Sequence, residues 1–456
     1  MDSKIKKSPG IDMLHGALFR KIIVFAMPLL ASGILQQSFN AVDVSIVGRF
    51  ASSQAMAAVG SNGSLISIMV SLFLGISIGA NIVIANYIGQ HNHAGIKRAV
   101  ATVSFVAVAS GIILLLIGEL FAKPILELMS VPEDVIDLAT VYLKVYFFGM
   151  PFMMIYNFAS AIMRSMGDTK RPFYSLAIAS VLNIILDLVF VMFFDMDVDG
   201  VALATVLSNV VNAALMVYWL TREPEPYRLN LKDTSINRNE LKKILQIGVP
   251  AGIQGMVFSL ANIFIQSSIN KFGSYAVAGS AAALSYEVYC YYIVSAFCQA
   301  AVAFLSQNYG AGQYDRCKRV FWLCLAAAIL GTGAMNVLIV WQKDFCLSVF
   351  TSDPEVLHYA IIRLQCVLLF QWIAATYEVS GACMRGLGYS MTPTLITIFG
   401  TCVLRLGWVY MAATKSFSFA HLLYIYPISW VLTGAAVMTA YFIVQRKVFS
   451  RKVMPI

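Results

Sequence analysis

Two aspartates lie inside long apolar runs of this chain. Asp43 sits in IIVFAMPLLASGILQQSFNAVDVSIVG (22–48), and Asp187 in a second run that begins near Pro172. A carboxylate at that depth costs roughly 3 kcal/mol or more unless it meets a partner or a wet cavity. Gln36, Asn40 and Asp43 follow at spacings of four and three, so on a helix they form one polar stripe. Asn183 precedes Asp187 by one helical turn, on the same face. Two carboxylates held close together with little water cannot both ionise cheaply, so such a pair takes up a proton near neutral pH. The same oxygens, with those of Asn and Thr, also suit Na⁺, a hard cation that prefers oxygen ligands. The expected chemistry is reversible cation binding, with H⁺ and Na⁺ both open.

The elements that must position these groups are membrane helices. Of the 456 residues 59% are hydrophobic and 12% charged, whereas a soluble domain carries about a quarter charged residues. Apolar runs of about 20 residues, each long enough to cross a bilayer, recur along the chain. The expected fold is an all-α polytopic membrane protein with twelve transmembrane helices, near 20–48, 57–88, 97–121, 135–163, 172–195, 199–221, 241–270, 276–308, 318–342, 355–384, 392–414 and 421–446. The first run is longer than a signal-peptide core and lacks a small-residue cleavage site, so it reads as a retained span. Most of the 32 Lys and Arg residues fall on alternate connections: Lys4, Lys6, Lys7, Arg20 and Lys21; Lys97 and Arg98; Arg164, Lys170 and Arg171; Arg222 through Lys243; Arg316, Lys318 and Arg319; Arg385; and Arg446 through Lys452. This bias places both termini in the cytoplasm and fits an even number of spans. The net charge of +9 is thus an orientation signal, and no nucleic-acid partner is implied.

A polar connector at 222–240 divides the spans into an amino-terminal lobe (1–221) and a carboxy-terminal lobe (241–456). The halves repeat at a constant offset. Lys21…Pro28…Phe50 matches Lys243…Pro250…Phe272. Asn86-Tyr87-Ile88-Gly89 with Lys97-Arg98 matches Gln307-Asn308-Tyr309-Gly310 with Lys318-Arg319, and Met163-Arg164-Ser165-Met166-Gly167 matches Met384-Arg385-Gly386-Leu387-Gly388. A parallel repeat of two pseudo-symmetric six-helix lobes implies alternating access by rocking about a cavity at the lobe interface. At about 1.5 Å per residue, Asp43, Asn183, Asp187, Thr205 and Tyr142 reach one level of the first lobe, with Asn157 deeper. The second lobe has no matching carboxylates; its buried candidates are Glu287, Glu378 and Arg405. An unpaired Arg at that depth is expensive, so Arg405 is expected to pair with Glu287 or Glu378. Tyr286 and Tyr289 offer cation–π surfaces for flat cationic compounds. The eight cysteines show no paired spacing and read as packing residues. The five histidines fall near loops or helix ends, so neither a metal site nor the constellation of an enzyme is expected.

Together the twelve helices, the six-helix repeat, the Asn-Tyr-Ile-Gly and Gln-Asn-Tyr-Gly-Ala-Gly helix ends and the paired Met-Arg-x-x-Gly loops resemble the multidrug and toxic compound extrusion (MATE) transporters over essentially the whole chain. Leu182-Asn183-Ile184-Ile185-Leu186-Asp187, with Asp43 in the first helix, resembles the DinF-like and related prokaryotic branches. The resemblance implies a secondary active antiporter of a bacterial or archaeal cytoplasmic membrane, working as a monomer in lipid. It would export organic, cationic and amphipathic compounds in exchange for H⁺ or Na⁺ without a cofactor. It also implies a cation site at Asp43, Tyr142, Asn157, Asn183, Asp187 and Thr205. The NorM-like branch has a carboxylate in helix seven, whereas the matching position here is Ser259. The alternative is a lipid-linked precursor flippase of the same superfamily. Such proteins carry a strongly basic cavity, and here only Arg405 and Arg363 are candidates for one.

Overall fold

A computed structural model describes residues 10–50, 53–128, 133–194, 196, 198–231, 235–414 and 418–450. Lys4, Lys6, Lys7, Lys232, Arg451 and Lys452 of the charge pattern lie outside the described residues. All regular structure among the described residues is helical. The helices are α1 (Leu18–Phe50), α2 (Ser53–Gly89), α3 (His93–Leu128), α4 (Glu133–Phe148), α5 (Met150–Ser165), α6 (Lys170–Met192), α7 (Val198–Thr221), α8 (Arg238–Asn270) and α9 (Ser274–Gly310). They continue as α10 (Tyr314–Trp341), α11 (Lys343–Ser348), α12 (Pro354–Cys366), α13 (Ala374–Gly386), α14 (Met391–Thr397), α15 (Leu404–Thr414), α16 (Phe419–Leu423) and α17 (Ile425–Ser450). Eleven stretches are long and apolar enough to cross a membrane, and the bent pair α4–α5 makes the twelfth span.

The chain forms two compact units. The first holds Ala31–Val249 and the described residues up to Asp12; the second holds Met13–Leu30 and the chain from Pro250 onward. The boundaries therefore fall beside Pro28 and Pro250 rather than in the connector at 222–240. A proline inside a helix removes one hydrogen bond and kinks the ladder there. The inner ends of α1 and α8 are then fastened by polar contacts. In the first unit Glu240, capped by Asn237, accepts from Tyr87 Oη at 2.5 Å and Arg98 Nε at 3.3 Å. Gly79 and Gly248 let the same stretch of α8 lie flush on α2, since a Cβ on Gly79 would stand 2.4 Å from the Ile244 carbonyl. In the second unit Arg316 donates to the carbonyls of Met13 and Gly16, both at 3.1 Å, and to Asn308 Oδ1 at 3.0 Å.

The fourth span of each unit is interrupted at the same place in the repeat. In the first, Phe148 ends α4, Gly149 intervenes, and Pro151 starts α5 at 44° to α4, as a proline in the first turn permits. In the second, a 3₁₀ stretch (Leu368–Ile373) separates α12 from α13. The eleventh span carries a π stretch (Ile398–Val403) between α14 and α15, just before Arg405. The eight cysteines are all unbonded, and Cys290, Cys317, Cys324, Cys383 and Cys402 are buried in the packing.

Candidate functional site

In the first unit, α1 and α6 bring the carboxyl groups of Asp43 and Asp187 within hydrogen-bonding reach of each other. Asp187 is completely buried. Neither of its oxygens, nor Oδ1 of Asp43, receives a hydrogen from a protein donor. Two carboxylates are acceptors only, so a hydrogen bond between them requires a proton on one. A cation between them serves the same end. The pair is thus two oxygen-bearing groups facing each other with nothing from the protein to neutralise them.

Tyr142 on α4 lies within electrostatic range of both carboxyls, and Tyr146 within range of Asp43. Their rings stack at 5.9 Å, as the i, i+4 spacing dictates. Tyr146 is a site residue that depth reasoning missed, although that spacing from Tyr142 is visible in the sequence. Asn183 is buried one turn from Asp187, and its Nδ2 has no partner. On α2, Asn62 Nδ2 donates to the Ala139 carbonyl at 3.0 Å, leaving its Oδ1 unpartnered close to the turn that carries Tyr142. A lone amide in an apolar helix was the available signal for it.

Two expected ligands turn elsewhere. Thr205 Oγ1 donates to the Val201 carbonyl at 3.0 Å and Asn157 Nδ2 to the Met153 carbonyl at 2.9 Å, each on its own helix. Gln36 and Asn40 lie on the Asp43 stripe of α1 but are exposed. Among the described residues no three His, Cys, Asp or Glu side chains converge as metal ligands.

The second unit corrects one expectation. Arg405 pairs with neither acid; Glu287 is held by Arg363. The guanidinium grips the carboxylate at two points, Nε to Oε1 at 2.7 Å and Nη2 to Oε2 at 2.9 Å, and its Nη1 donates to Ser280 Oγ at 2.6 Å. Arg405, 1% exposed, sits instead among aromatic rings. Its guanidinium carbon is 4.5 Å from the Tyr426 ring centroid, 5.5 Å from Phe258 and 5.9 Å from Trp430. Its Nε donates to Ser429 at 3.2 Å, while Nη2 has no partner. Ring faces stabilise a cation by about 2 kcal/mol when water is excluded, which is what lets an arginine stay there without a carboxylate. Glu378 accepts a hydrogen bond from Tyr291 and feels the charge of Arg385. Tyr286 donates to the Cys346 carbonyl at 2.8 Å, and Tyr289 is half-buried on the same helix.

A profile of the MatE family matches residues 28–189 and again residues 250–411. The chain belongs to the MatE family. The matched blocks start at Pro28 and Pro250, the anchors of the internal repeat. MatE proteins are membrane transporters and not enzymes, and this one is a multi-pass transporter with twelve spans. It is similar to the probable multidrug resistance protein YoeA of Bacillus subtilis (strain 168), 30% identical over 390 residues that cover 84% of each chain. It is also similar to the probable multidrug resistance protein NorM of Thermotoga maritima, 25% identical over 391 residues, covering 85% of this chain and 84% of that protein. Among solved structures, an outward-facing multidrug resistance MATE family transporter of the MOP superfamily superposes with a TM-score of 0.88 at 22% identity, over 98% of this chain and 99% of that one. That likeness speaks for the MATE fold.

Proposed function

We propose that this MATE transporter is a secondary active antiporter that exports small organic, cationic and amphipathic compounds in exchange for H⁺ or Na⁺. The observation that carries the reading is the Asp43–Asp187 pair, buried and without a protein donor on either oxygen of Asp187. A pair of acceptors in contact is stable only with a proton or cation between them, and a binding equilibrium of that kind can be driven by an ion gradient. Tyr142, Tyr146 and Asn183 supply further polar atoms at the same level, with Thr205 and Asn157 on the neighbouring α7 and α5. The names of YoeA and NorM support organic compounds as cargo. The charge bias of the connections supports a cytoplasmic membrane with both termini inside, and a complete pair of lobes in one chain supports a functional monomer.

For exchange to result, cation and cargo must each weaken the other's binding. In the proposed cycle, cation uptake from outside by Asp43 and Asp187 favours release of cargo, and discharge of the cation inside resets the protein. The flippase alternative is weakened by Glu287, which neutralises Arg363 and leaves Arg405 as the one buried arginine of that pair without a carboxylate.

The test is substrate-dependent proton release from purified protein in detergent, with and without Na⁺. Ethidium added to wild type should release protons, and Asp43→Asn and Asp187→Asn should abolish release while leaving a folded protein. Displacement of ethidium by Na⁺ without proton release would assign the site to Na⁺. Ethidium binding that ignores both ions and both substitutions would refute the antiport reading.

A further inference from the structure

We infer that the bent fourth span of the first unit forms a binding site for a single zwitterionic phospholipid of the ethanolamine class. A groove of ≈ 390 Å³ opens where α4 and α5 meet, lined on its sides by Phe148, Phe152, Val206 and Leu207 and bordered by Glu119 and Lys144. Its volume is within the range of ~300–1,000 Å³ seen for small-molecule sites.

The groove follows from the bend. Three glycines seat the bent span against its neighbours so closely that a side chain on any of them would collide. A Cβ on Gly111 would stand 2.3 Å from Pro151 Cα, one on Gly118 2.2 Å from the Phe147 ring, and one on Gly149 3.0 Å from Val206 Cγ2. Helices fixed this tightly at their crossing points cannot also close over the 44° angle between α4 and α5. The angle is left open on the lipid-facing side, where Phe148 is 60% exposed.

The polarity of the groove runs along the membrane normal. α4 and α7 both enter from the outer side, and Glu119 and Lys144 lie on the outer part of α3 and α4. Below them the lining is apolar, continuing down α5 at Phe152 and down α7 past Val206 and Leu207. A charged rim over an apolar trench matches a headgroup over an acyl chain.

The rim also selects among headgroups. Lys144 Nζ and Glu119 Oε2 stand 3.9 Å apart, with side chains 45% and 41% exposed. That is well beyond the ~2.7–2.9 Å of a closed charge-assisted hydrogen bond, so each charge keeps free hydrogen-bonding capacity toward the groove. A phosphate reaches Lys144 while an ammonium three bonds further along the headgroup reaches Glu119. An anionic glycerol headgroup places no donor cation at Glu119, and a choline offers it no N–H. The site thus favours ethanolamine over both by charge and by hydrogen bonding.

Occupancy should reach the first-unit carboxyls through α4. Lys144 and Phe148 face the groove from the same helix that presents Tyr142 and Tyr146 to Asp43. This consequence rests on the proposed cation site; the binding claim does not.

The experiment is lipid retention measured by native mass spectrometry on the full chain, after equilibration with phosphatidylethanolamine, phosphatidylglycerol or phosphatidylcholine of matched acyl chains. Wild type should retain one phosphatidylethanolamine about fivefold better than either other lipid, the discrimination that one half-exposed charge contact provides. Glu119→Gln should abolish the preference while Lys144 still holds any phosphate, and Leu207→Trp, which fills the trench, should lower retention of all three lipids. Both positions are lipid-facing, so the variants are expected to fold; wild-type preference is decisive even if one does not. Equal retention of the three lipids by wild type, or wild-type behaviour in both variants, would overturn the inference.

Discussion

The bond between Glu287 and Arg363 predicts an asymmetry that is easy to measure. Both side chains are nearly inaccessible, 8% and 3% exposed, and the guanidinium makes two short bonds to the carboxylate and a third to Ser280. Glu287→Leu leaves a buried cation with only Ser280 and the Tyr426 side as neighbours. Breaking a buried pair on one side costs about 3–5 kcal/mol, a roughly 10²–10⁴-fold shift in the folding equilibrium. Arg363→Leu leaves a bare carboxylate and should cost a similar amount. The double substitution removes both charges together. Gln371 bonds the backbone carbonyl of Glu287 at 2.8 Å and is untouched, so the remaining loss is the Ser280 contact, about 1 kcal/mol. The double variant should therefore be more stable than either single one, with non-additivity of about 3 kcal/mol or more. Unfolding of purified protein followed by tryptophan fluorescence, on all four proteins of the cycle, reads this directly. A double variant no more stable than the worse single variant would refute a role as mutually neutralising charges. A stable double variant that had lost transport would show that Glu287 or Arg363 touches the cargo.

Arg405 should behave differently, because it has no acid to orphan. Arg405→Met is expected to alter stability by less than about 1.5 kcal/mol, and a loss as large as that of Arg363→Leu in the same unfolding assay would mean that a carboxylate depends on it. Gly79→Ala puts a methyl 2.4 Å from the Ile244 carbonyl, whereas Gly63→Ala on the same helix meets nothing within 4 Å. The first should destabilise by about 1–3 kcal/mol and the second hardly at all, and equal melting shifts for the two would contradict the flush packing of α2 on the inner stretch of α8.

What the sequence made legible, and what it did not, divides along the helix axis and around it. Depth follows from counting residues at about 1.5 Å each, and counting was enough to bring Asp43, Asp187 and Tyr142 to one level on three helices. The spans were legible for the same reason, since length and apolar content decide whether a helix crosses a bilayer. Direction around the axis is another matter. Thr205 and Asn157 lie on helices adjacent to the carboxyls, yet their side chains close onto their own backbones, an option that Ser, Thr and Asn always have and spacing does not reveal.

Arg405 shows the physical reason most clearly. Counted as a regular helix, the eleventh span predicts a direction for Arg405 from its spacing to earlier residues. The structure inserts a π stretch at Ile398–Val403, immediately before it. Each residue added to a helix turns everything that follows by roughly 100°, so a wider turn is enough to carry the guanidinium away from an acid-bearing face and onto the rings of Phe258, Tyr426 and Trp430. Glu287, left without Arg405, is met by Arg363 on α12, whose direction is not subject to that insertion. A π turn cannot be predicted from apolar periodicity because it leaves composition unchanged and shifts only the phase. The charge partners in the second unit therefore had to be read from the structure, whereas the first-unit carboxyls, on α1 and α6 with no such insertion before them, could be placed from the sequence alone.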